Sequence, residues 1–205
     1  MTWQKRILDL VFAFLLVVVL GPVLIGLLIW LLLKEGRPLF YVAERMKGVD
    51  QPFMLWKLRT MTVVDTDTGV SGGDKATRIT ATGAWLRSRR LDEFPQLWNI
   101  IRGDLSFVGP RPPLRQYVEA CPELYREVLK SRPGVTGLAS IVYHRHEAAL
   151  LARCRTAEET DAVYARICVP MKARLDLIYR RRRSLCYDFD LVFQTIGALV
   201  RRSDG

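Results

Sequence analysis

Residues 7–33 read ILDLVFAFLLVVVLGPVLIGLLIWLLL, and this apolar run decides which kinds of fold the chain can adopt. Asp9 is its only ionisable residue. An apolar run longer than about 18 residues predicts a membrane helix. The run is too long for a signal peptide, and no small-residue cleavage site follows it. We therefore divide the chain into a membrane segment, residues 1–36, and a more polar domain, residues 37–205.

Both flanks of the apolar run are basic: Lys5 and Arg6 precede it, and Lys34 and Arg37 follow it. Positive charge favours the cytoplasmic side of a membrane, here for both ends. Proline in the pair Gly21-Pro22 kinks a helix because it removes one backbone hydrogen bond. Two legs of about thirteen residues would each reach roughly 20 Å, short of a hydrocarbon core of roughly 30 Å. Two topologies stay open: a re-entrant helix bent at Gly21-Pro22, and a spanning helix with a proline kink.

The chain as a whole is basic, since 31 Lys and Arg residues against 21 Asp and Glu residues give a net charge of +10. Such a charge favours anionic partners, namely a membrane surface, nucleic acid or a phosphorylated substrate. The run Arg180–Arg183, together with Arg201 and Arg202, predicts contact with anionic lipid headgroups beside the apolar anchor. A solvated basic face is the alternative interpretation.

The remaining pattern predicts an α+β fold that is mostly helical, with amphipathic helices at the membrane interface and short strands. Alternation over residues 53–61 predicts a strand that places Lys57 and Arg59 on one face. Helices are expected over residues 83–91, 94–101, 114–131 (broken at Pro122), 158–184 and 189–202, and a strand over residues 138–143. Residues 65–77 and 103–113 are rich in glycine or proline and indicate loops.

The cysteines and histidines exclude several kinds of chemistry. Cys121, Cys154, Cys168 and Cys186 form no Cys-x-x-Cys pair, so neither a zinc ribbon nor a redox dithiol is predicted. Scattered single cysteines in a basic chain indicate reduced thiols that face the cytosol. His144 and His146 are the only histidines, which makes a poor metal site and leaves no Ser-His-Asp triad to propose.

The adjacent carboxylates Asp92 and Glu93, within RRLDEFP at residues 89–95, are the main candidates for chemistry. Neighbouring carboxylates repel, so at least one needs a proton, a divalent metal or a cluster of Arg and Lys. An ordinary solvated pair is the alternative. Arg111 lies between two prolines that fix its backbone, and a rigidly presented guanidinium suits phosphate binding. The residues alone therefore predict a membrane-anchored basic protein that handles a phosphate.

Four motifs, taken in order, resemble those of the bacterial sugar transferase family, the monotopic phosphoglycosyl transferases. They are WKLRTM at residues 56–61, LDEFPQLWN at 91–99, GDLSFVGPRP at 103–112 and RPGVTG at 132–137. The likeness runs from about Pro38 to Ile196, and the leading apolar segment also fits. The chain resembles the minimal form of the family, a catalytic domain behind one membrane segment.

This resemblance implies an enzyme that moves a phosphosugar from a UDP-sugar to polyprenol (undecaprenyl) phosphate and releases UMP. It implies a covalent aspartyl intermediate, a requirement for Mg²⁺, and a place at the cytoplasmic face of the bacterial inner membrane, as the first membrane step of glycoconjugate assembly. The family's re-entrant helix breaks at a residue-proline pair, which Gly21-Pro22 matches, so the re-entrant topology is favoured.

The motifs also assign site residues by resemblance. Asp92 would be the nucleophile and Glu93 its acidic partner. Glu93 would be the first protein ligand of the magnesium ion, and Asp92 would share it. The expected substrate-binding residues are basic: Lys57, Arg59, Arg111 and, as a nucleotide contact, Arg145.

Two rival classes of function were weighed against this one. A membrane-anchored nucleic-acid binder would show salt-sensitive affinity, but the sequence has no recognisable reading helix or RNA-binding aromatic motif, so nucleic acid is not an expected partner. A non-catalytic scaffold is opposed by the intact pair Asp92-Glu93 and by Arg111. These motifs fix neither the sugar, nor the pathway, nor the oligomeric state.

Overall fold

A computed structural model describes residues 2–63 and 73–203 of the chain. Its α-helices are α1 Trp3–Glu35, α2 Ala81–Ser88, α3 Gln96–Arg102, α4 Arg115–Ala120, α5 Pro122–Val128, α6 Leu138–Val142, α7 His144–Leu151, α8 Ala157–Val163, α9 Val169–Arg182 and α10 Leu185–Ser203. Single 3₁₀ turns cover Gly73–Arg78 and Leu91–Glu93, and a π-helical turn covers Tyr164–Cys168. The strands are β1 Phe40–Gly48, β2 Gln51–Leu58, β3 Ser106–Val108 and β4 Gly134–Thr136. The predicted fold class, mostly helical with short strands, is confirmed.

Helix α1 is one continuous helix that contains Pro22. Thr2 caps its first turn by accepting a hydrogen bond from the backbone N–H of Lys5 at 3.4 Å. Gly36, with φ of 69°, ends it in a conformation that side-chain-bearing residues rarely adopt. By length and composition α1 could cross a membrane. A bend at Gly21-Pro22 stays a prediction.

Strands β1 and β2 form an antiparallel hairpin, in which Phe40 pairs with Leu58 and Gly48 with Gln51. The alternation predicted for β2 is present, since Phe53 and Leu55 are buried and Met54 is exposed. The side chain of Asn99 on α3 completes the outer edge of β2. It donates to the Met54 carbonyl at 2.7 Å and accepts from the Trp56 N–H at 3.1 Å, so α3 is fixed against the strand that carries Lys57.

The predicted loop 103–113 contains an unpredicted strand, β3, which pairs in parallel with β4 through Ser106–Gly134 and Val108–Thr136. The backbones meet so closely that a Cβ on Gly134 would lie 2.2 Å from the Gly109 nitrogen. Only glycine fits there. The other predicted loop, residues 65–77, lies largely outside the described residues, and its last part is the 3₁₀ turn Gly73–Arg78.

Two predictions about local structure are corrected. Residues 138–143 were expected to form a strand, but Leu138–Val142 is helix α6, packed against α9 and α10. The β-branched Ile141 and Val142 favoured a strand locally, and tertiary packing overrides so weak a preference. The helix expected over residues 158–184 divides into α8, the π-helical turn and α9. The break at Pro122 is confirmed, because α4 ends at Ala120 and α5 begins at Pro122.

Both ends of α1 pack against the rest of the chain. Near its start, buried Ala13 lies in a cluster with Ile100 and Leu105. Near its end, buried Leu31 packs with Leu58 and Leu86. Most of the large apolar side chains between these two contacts are exposed, as a helix that faces lipid requires.

Candidate active site

A tight turn between α2 and α3 holds the acidic pair. Arg90, which follows α2, has φ of 58°, a left-handed conformation that is uncommon for a residue with a side chain. The 3₁₀ turn Leu91–Glu93 follows at once. It buries both carboxyl groups, leaving Asp92 6% and Glu93 8% exposed. Such backbone strain is often found at functional sites.

Glu93 is surrounded by three cations from three parts of the chain. Its Oε1 lies 3.2 Å from Arg111 Nη2, 3.4 Å from Arg90 Nη1 and 3.5 Å from Lys57 Nζ. Lys57 comes from β2, and Arg111 from the segment after β3. Burial by itself would raise the pKa of Glu93, but the charges of these three residues outweigh it and lower the pKa to about 2. Glu93 is therefore a permanent anion at neutral pH.

Asp92 differs from its neighbour. Its Oδ1 is buried and has no hydrogen-bond partner in residues 2–63 and 73–203. Burial raises the pKa of Asp92, and the positive charge of Lys57 opposes that rise. Lys57 is itself affected, because burial and the nearby charge of Arg111 lower its pKa to about 8. Asp92 thus presents an unengaged carboxylate beside a cation that can lose its charge at mildly alkaline pH.

Asp92, Glu93, Lys57 and Arg111 all line one cavity of about 720 Å³. This volume is in the range of small-molecule binding sites. A further part of the lining comes from α7, the π-helical turn and α9, namely His144, Glu147, Tyr164, Lys172 and Asp176. The cavity therefore contains two polar regions. One is the acidic pair with its surrounding cations, and the other is formed by residues of α7, the π-helical turn and α9.

The other two predicted binding residues lie elsewhere. Arg59 follows the end of β2, and its Nη2 donates to the carbonyls of Glu35 at 2.8 Å and Gly36 at 3.2 Å. It thus closes the C-terminal end of α1, although it also contributes to the cavity lining. Arg145 is exposed on α7, and its neighbours His144 and Glu147 are the α7 residues that line the cavity. Its role as a nucleotide contact stays a prediction.

Asp92 and Glu93 are better suited to a metal ion that enters together with a phosphorylated ligand than to one that the protein holds by itself. Within the described ranges, no group of three or more His, Cys, Asp or Glu side chains could hold a metal. The contacts of Glu93 with its three cations all go to Oε1, and Asp92 Oδ1 is without a partner. Magnesium often takes only one or two carboxylates and completes its shell with water and phosphate oxygens. These two residues could supply that part of the shell.

The predicted basic surface is only partly available. Arg180 donates to the carboxylate of Glu127 at 2.7 Å and to its carbonyl at 2.8 Å, so it is engaged within the protein. Residues 181–183 are exposed. Helix α10, which follows, exposes Phe193 and Ile196. The side chains of Arg201 and Arg202 lie outside the described set. Exposed basic residues at 181–183 are therefore followed in the chain by a helix with exposed apolar side chains.

Comparison with known proteins defines the class of the chain. The profile of the bacterial sugar transferase family matches residues 1–202. UDP-glucose:undecaprenyl-phosphate glucose-1-phosphate transferase of Caulobacter vibrioides is 35% identical, over 96% of this chain and 70% of that protein. The enzyme of the same name from Escherichia coli (strain K12) is 30% identical, over 94% of this chain and 39% of that protein. An Aeromonas hydrophila UDP-N-acetylgalactosamine-undecaprenyl-phosphate N-acetylgalactosaminephosphotransferase is 28% identical, over 96% and 43%.

These relatives are transferases, and the site has the charge and volume that a phosphorylated substrate needs. The chain belongs to the bacterial sugar transferase family, as its four motifs predicted. It spans about two fifths of the length of the longer relatives, for example 36% of a Klebsiella pneumoniae enzyme and 39% of the Escherichia coli one.

Proposed function

We propose that this chain is a phosphoglycosyl transferase that moves a phosphosugar from a UDP-sugar to undecaprenyl phosphate at the cytoplasmic face of the bacterial inner membrane. The names of the relatives supply the donor and the acceptor. One observation carries the proposal: Asp92, whose buried Oδ1 has no hydrogen-bond partner among the described residues, lines a cavity together with Lys57 and Arg111. That arrangement suits a nucleophile that attacks a phosphorus atom held by cations.

In the first step, an ionised Asp92 oxygen attacks the β-phosphorus of the UDP-sugar. A bond forms between this oxygen and phosphorus, and the bond from phosphorus to the oxygen that bridges the two phosphates breaks. The bridging oxygen leaves with the bonding electron pair as part of UMP. The product on the protein is an aspartyl phosphosugar, so one difficult transfer is divided into two easier ones.

In the second step, a phosphate oxygen of undecaprenyl phosphate attacks the same phosphorus. The bond between phosphorus and the Asp92 oxygen breaks, and the carboxylate is regenerated. The product is undecaprenyl diphosphate sugar. Neither step needs a proton shuttle, which agrees with an acidic-pair site whose nearby basic groups are Lys and Arg.

Glu93 and the cations have separate tasks in this scheme. Arg111 and Lys57 would neutralise the diphosphate, with the planar guanidinium of Arg111 gripping two oxygens at once. Glu93 is held by three cations and is poorly placed to attack. It would keep those cations in position before the donor binds. A magnesium ion bound by Asp92 and Glu93 together with the diphosphate would add further charge neutralisation.

The two docking regions of α1 support a re-entrant topology. At the first, Asp9 Oδ1 accepts from Ser106 Oγ at 3.1 Å and from the Phe107 N–H at 3.3 Å. At the second, Leu31 packs on Leu58 and Leu86. The first packing cluster reaches Leu16 and the second begins at Leu27. The stretch between these two residues covers about 16 Å at 1.5 Å per residue, about half of a hydrocarbon core of roughly 30 Å. A helix docked at both places on one domain is too short between them to cross, so both ends would lie on the same side.

Anionic lipids would complete the membrane attachment. The exposed arginines 181–183 adjoin α10, which exposes Phe193 and Ile196. A helix with basic residues beside an apolar face lies in the headgroup region of a membrane. This surface would hold the cavity close to the acceptor lipid.

A trapping experiment tests the proposed function. Purified protein incubated with UDP-glucose or UDP-N-acetylgalactosamine and magnesium, without acceptor, should gain the mass of one phosphosugar on Asp92. Asp92→Asn should form no adduct and lose at least about a thousandfold in UMP release, because no nucleophile replaces it. Asp50→Asn, an equivalent change at the exposed β1–β2 turn, should behave as the wild type. Normal UMP release by Asp92→Asn would refute the assignment.

A labelling experiment tests the topology. Gln4→Cys lies before the apolar run and Gln51→Cys lies after it, both at exposed positions, in a background where exposed Cys186 is replaced by serine. A membrane-impermeant thiol reagent added to intact cells should label neither position, and both should react after permeabilisation. Labelling of Gln51→Cys alone in intact cells would establish a spanning helix instead.

A further inference from the structure

The cavity extends beyond the acidic pair to a polar cluster that the proposed chemistry does not use. This inner cluster consists of Glu147 on α7, Tyr164 in the π-helical turn, and Lys172 and Asp176 on α9. All four residues line the same cavity as Asp92 and Glu93. A ligand that fills the cavity would therefore meet the inner cluster.

Lys172 has no free donor left for Asp176. Its Nζ donates to the two carboxylate oxygens of Glu147 at 3.0 and 2.9 Å and to the Tyr164 hydroxyl at 3.0 Å. An ammonium group has three N–H donors. The ion pair is therefore complete within itself, and Lys172 acts on Asp176 only through its charge.

Asp176 lines the cavity, and one oxygen of its carboxyl group accepts no hydrogen bond from the described residues. It is 6% exposed, and its Oδ1 is buried without a hydrogen-bond partner in the described part of the chain. Burial raises the pKa of Asp176 to about 7, because the charge of Lys172 offsets burial only in part. A buried polar atom without a partner costs free energy. A protein that keeps such an atom beside a cavity is typical of one whose ligand completes the hydrogen bond.

The backbone around the inner cluster is irregular at the same place. The chain forms a π-helical turn at Tyr164–Cys168, and such turns are rare and frequent at functional sites. The ring of Tyr164 lies 4.8 Å from the ring of Tyr117, and both line the cavity. The inner cluster therefore combines polar groups with an aromatic wall, the usual composition of a site for a flat or hydroxylated ring.

Arg111 connects this cluster with the acidic pair. The negative charge of Glu93 is the main cause that raises the pKa of Arg111, and Glu147 and Tyr164 contribute to the same rise. Arg111 is thus close to both groups of residues. A substituent of a diphosphate held by Arg111 would lie in the cavity whose wall also contains Asp176.

We propose that Asp176, together with Tyr164 in the same cavity wall, binds a neutral ring of the UDP-sugar that carries N–H or O–H groups, either the uracil-ribose or the transferred sugar. This inference rests on the proposed function. The carboxylate accepts a hydrogen bond from the ring, and the tyrosine rings pack against its face. Because Asp176 is itself an anion when it accepts this hydrogen bond, a sugar that carries a carboxylate is disfavoured by like charge.

Kinetics of Asp176→Asn test the inference in the purified, detergent-solubilised full chain. This change keeps the size of the side chain and removes its charge. Asp190→Asn, the same change at an exposed position of α10, is the matched control. The measurements are kcat and KM for UDP-glucose and for UDP-N-acetylgalactosamine, and the inhibition constant of UMP. We expect Asp176→Asn to raise KM about tenfold, because a hydrogen bond to a neutral amide oxygen is weaker than one to a carboxylate, with a smaller change in kcat.

The same data separate the two sources of the ring. If the ring is the uracil-ribose, the inhibition constant of UMP rises in parallel with KM for both donors. If it is the sugar, UMP inhibits as before and the preference between the two donors changes. The inference is overturned if KM, UMP inhibition and donor preference all stay within about twofold of the wild type. An inactive wild-type protein with every UDP-sugar would instead overturn the proposed function.

Discussion

Glu93 and Asp176 line one cavity and are buried to a similar degree, 8% and 6% exposed, yet their carboxyl groups ionise in opposite ways. Burial raises the pKa of both. At Glu93 the charges of Arg111, Lys57 and Arg90 reverse this effect and bring the pKa to about 2. At Asp176 the charge of Lys172 alone opposes burial, and the pKa rises to about 7.

The nearby cations, rather than burial, decide whether each carboxyl group is charged at neutral pH. Three cations converge on one oxygen of Glu93, so this group is a fixed anion. Lys172 gives its three donors to Glu147 and Tyr164, and Asp176 keeps an unengaged oxygen. The carboxyl group of Glu93 therefore stays charged, whereas the charge and the hydrogen bonding of Asp176 change with pH.

The largest expected effect follows from removing the anion that three cations share. Glu93→Gln leaves Lys57, Arg90 and Arg111 to repel one another, so we expect UMP release to fall by at least about a hundredfold. We also expect a loss of roughly 1–3 kcal/mol in the free energy of unfolding, as for other buried groups that lose a partner. Activity and melting temperature are measured together. Glu44→Gln, which breaks an exposed pair with Arg115, is the control and should change little.

A second variant replaces one of the cations around Glu93 by a different side chain of the same charge. Arg111→Lys loses the planar two-point contact with phosphate, so we expect turnover to fall by roughly a hundredfold with the melting temperature nearly unchanged. Arg115→Lys, at an exposed pair, should keep normal activity. Near-normal UMP release by Arg111→Lys would remove Arg111 from the phosphate site, and a large fall in melting temperature would make it a structural residue.

The pH dependence of activity tests whether catalysis requires the positive charge of Lys57 beside Glu93. The pKa of Lys57 is lowered to about 8, so its charge is present below that pH and lost as pH rises through it. We expect kcat/KM, which reports the free enzyme, to fall by roughly tenfold per pH unit above pH 8. Lys57→Arg cannot lose its charge in this range, so its alkaline limb should move upward. If the activity of Lys57→Arg falls at the same alkaline pH as that of the wild type, the group that loses its proton there is not Lys57.

The raised pKa of Asp176 predicts that the stability of the protein depends on pH. The folded-state pKa of Asp176 is about 7 against an ordinary value of 3.8, so folding favours the protonated form. The free energy of unfolding is therefore highest below about pH 4 and decreases as pH rises to 7, by up to about 4 kcal/mol at 1.36 kcal/mol per pKa unit. Asp176→Asn should melt several degrees above the wild type at pH 8 and close to it at pH 4. An equal difference at both pH values would contradict the raised pKa.

The Glu93 end of the cavity was predicted from the sequence, and the Asp176 end was not. Asp92 and Glu93 are adjacent in the chain, and the family motifs name Lys57 and Arg111 as well. Glu147 and Asp176, by contrast, lie on different helices, α7 and α9, and no local pattern links them. Only the packing of α9 with its irregular first turn brings them to one cavity. A sequence of one protein contains no signal for that contact.

The local sequence pattern also gave a wrong boundary or a wrong element type where tertiary packing determines the structure. The alternation that predicted β2 was extended to residue 61, three residues too far, because the strand ends at Leu58 and Arg59 turns to the carbonyls at the end of α1. The strand expected at residues 138–143 is α6, which packs against two later helices. Long periodic segments such as α1 were identified correctly, since their signal is spread over many residues.

The contacts of the N-terminal part of α1 set an order of events during synthesis. Asp9 is bound by Ser106, 97 residues later, and Lys5 pairs with Asp188, 183 residues later. At about 5–20 residues per second, a ribosome needs on the order of ten seconds or more to produce these partners. If α1 enters the membrane while the chain is being made, as the proposed topology requires, its first turns have no protein surface to pack against during that interval. The contact of Asp9 therefore forms only after Ser106 has been synthesised, and that of Lys5 only after Asp188.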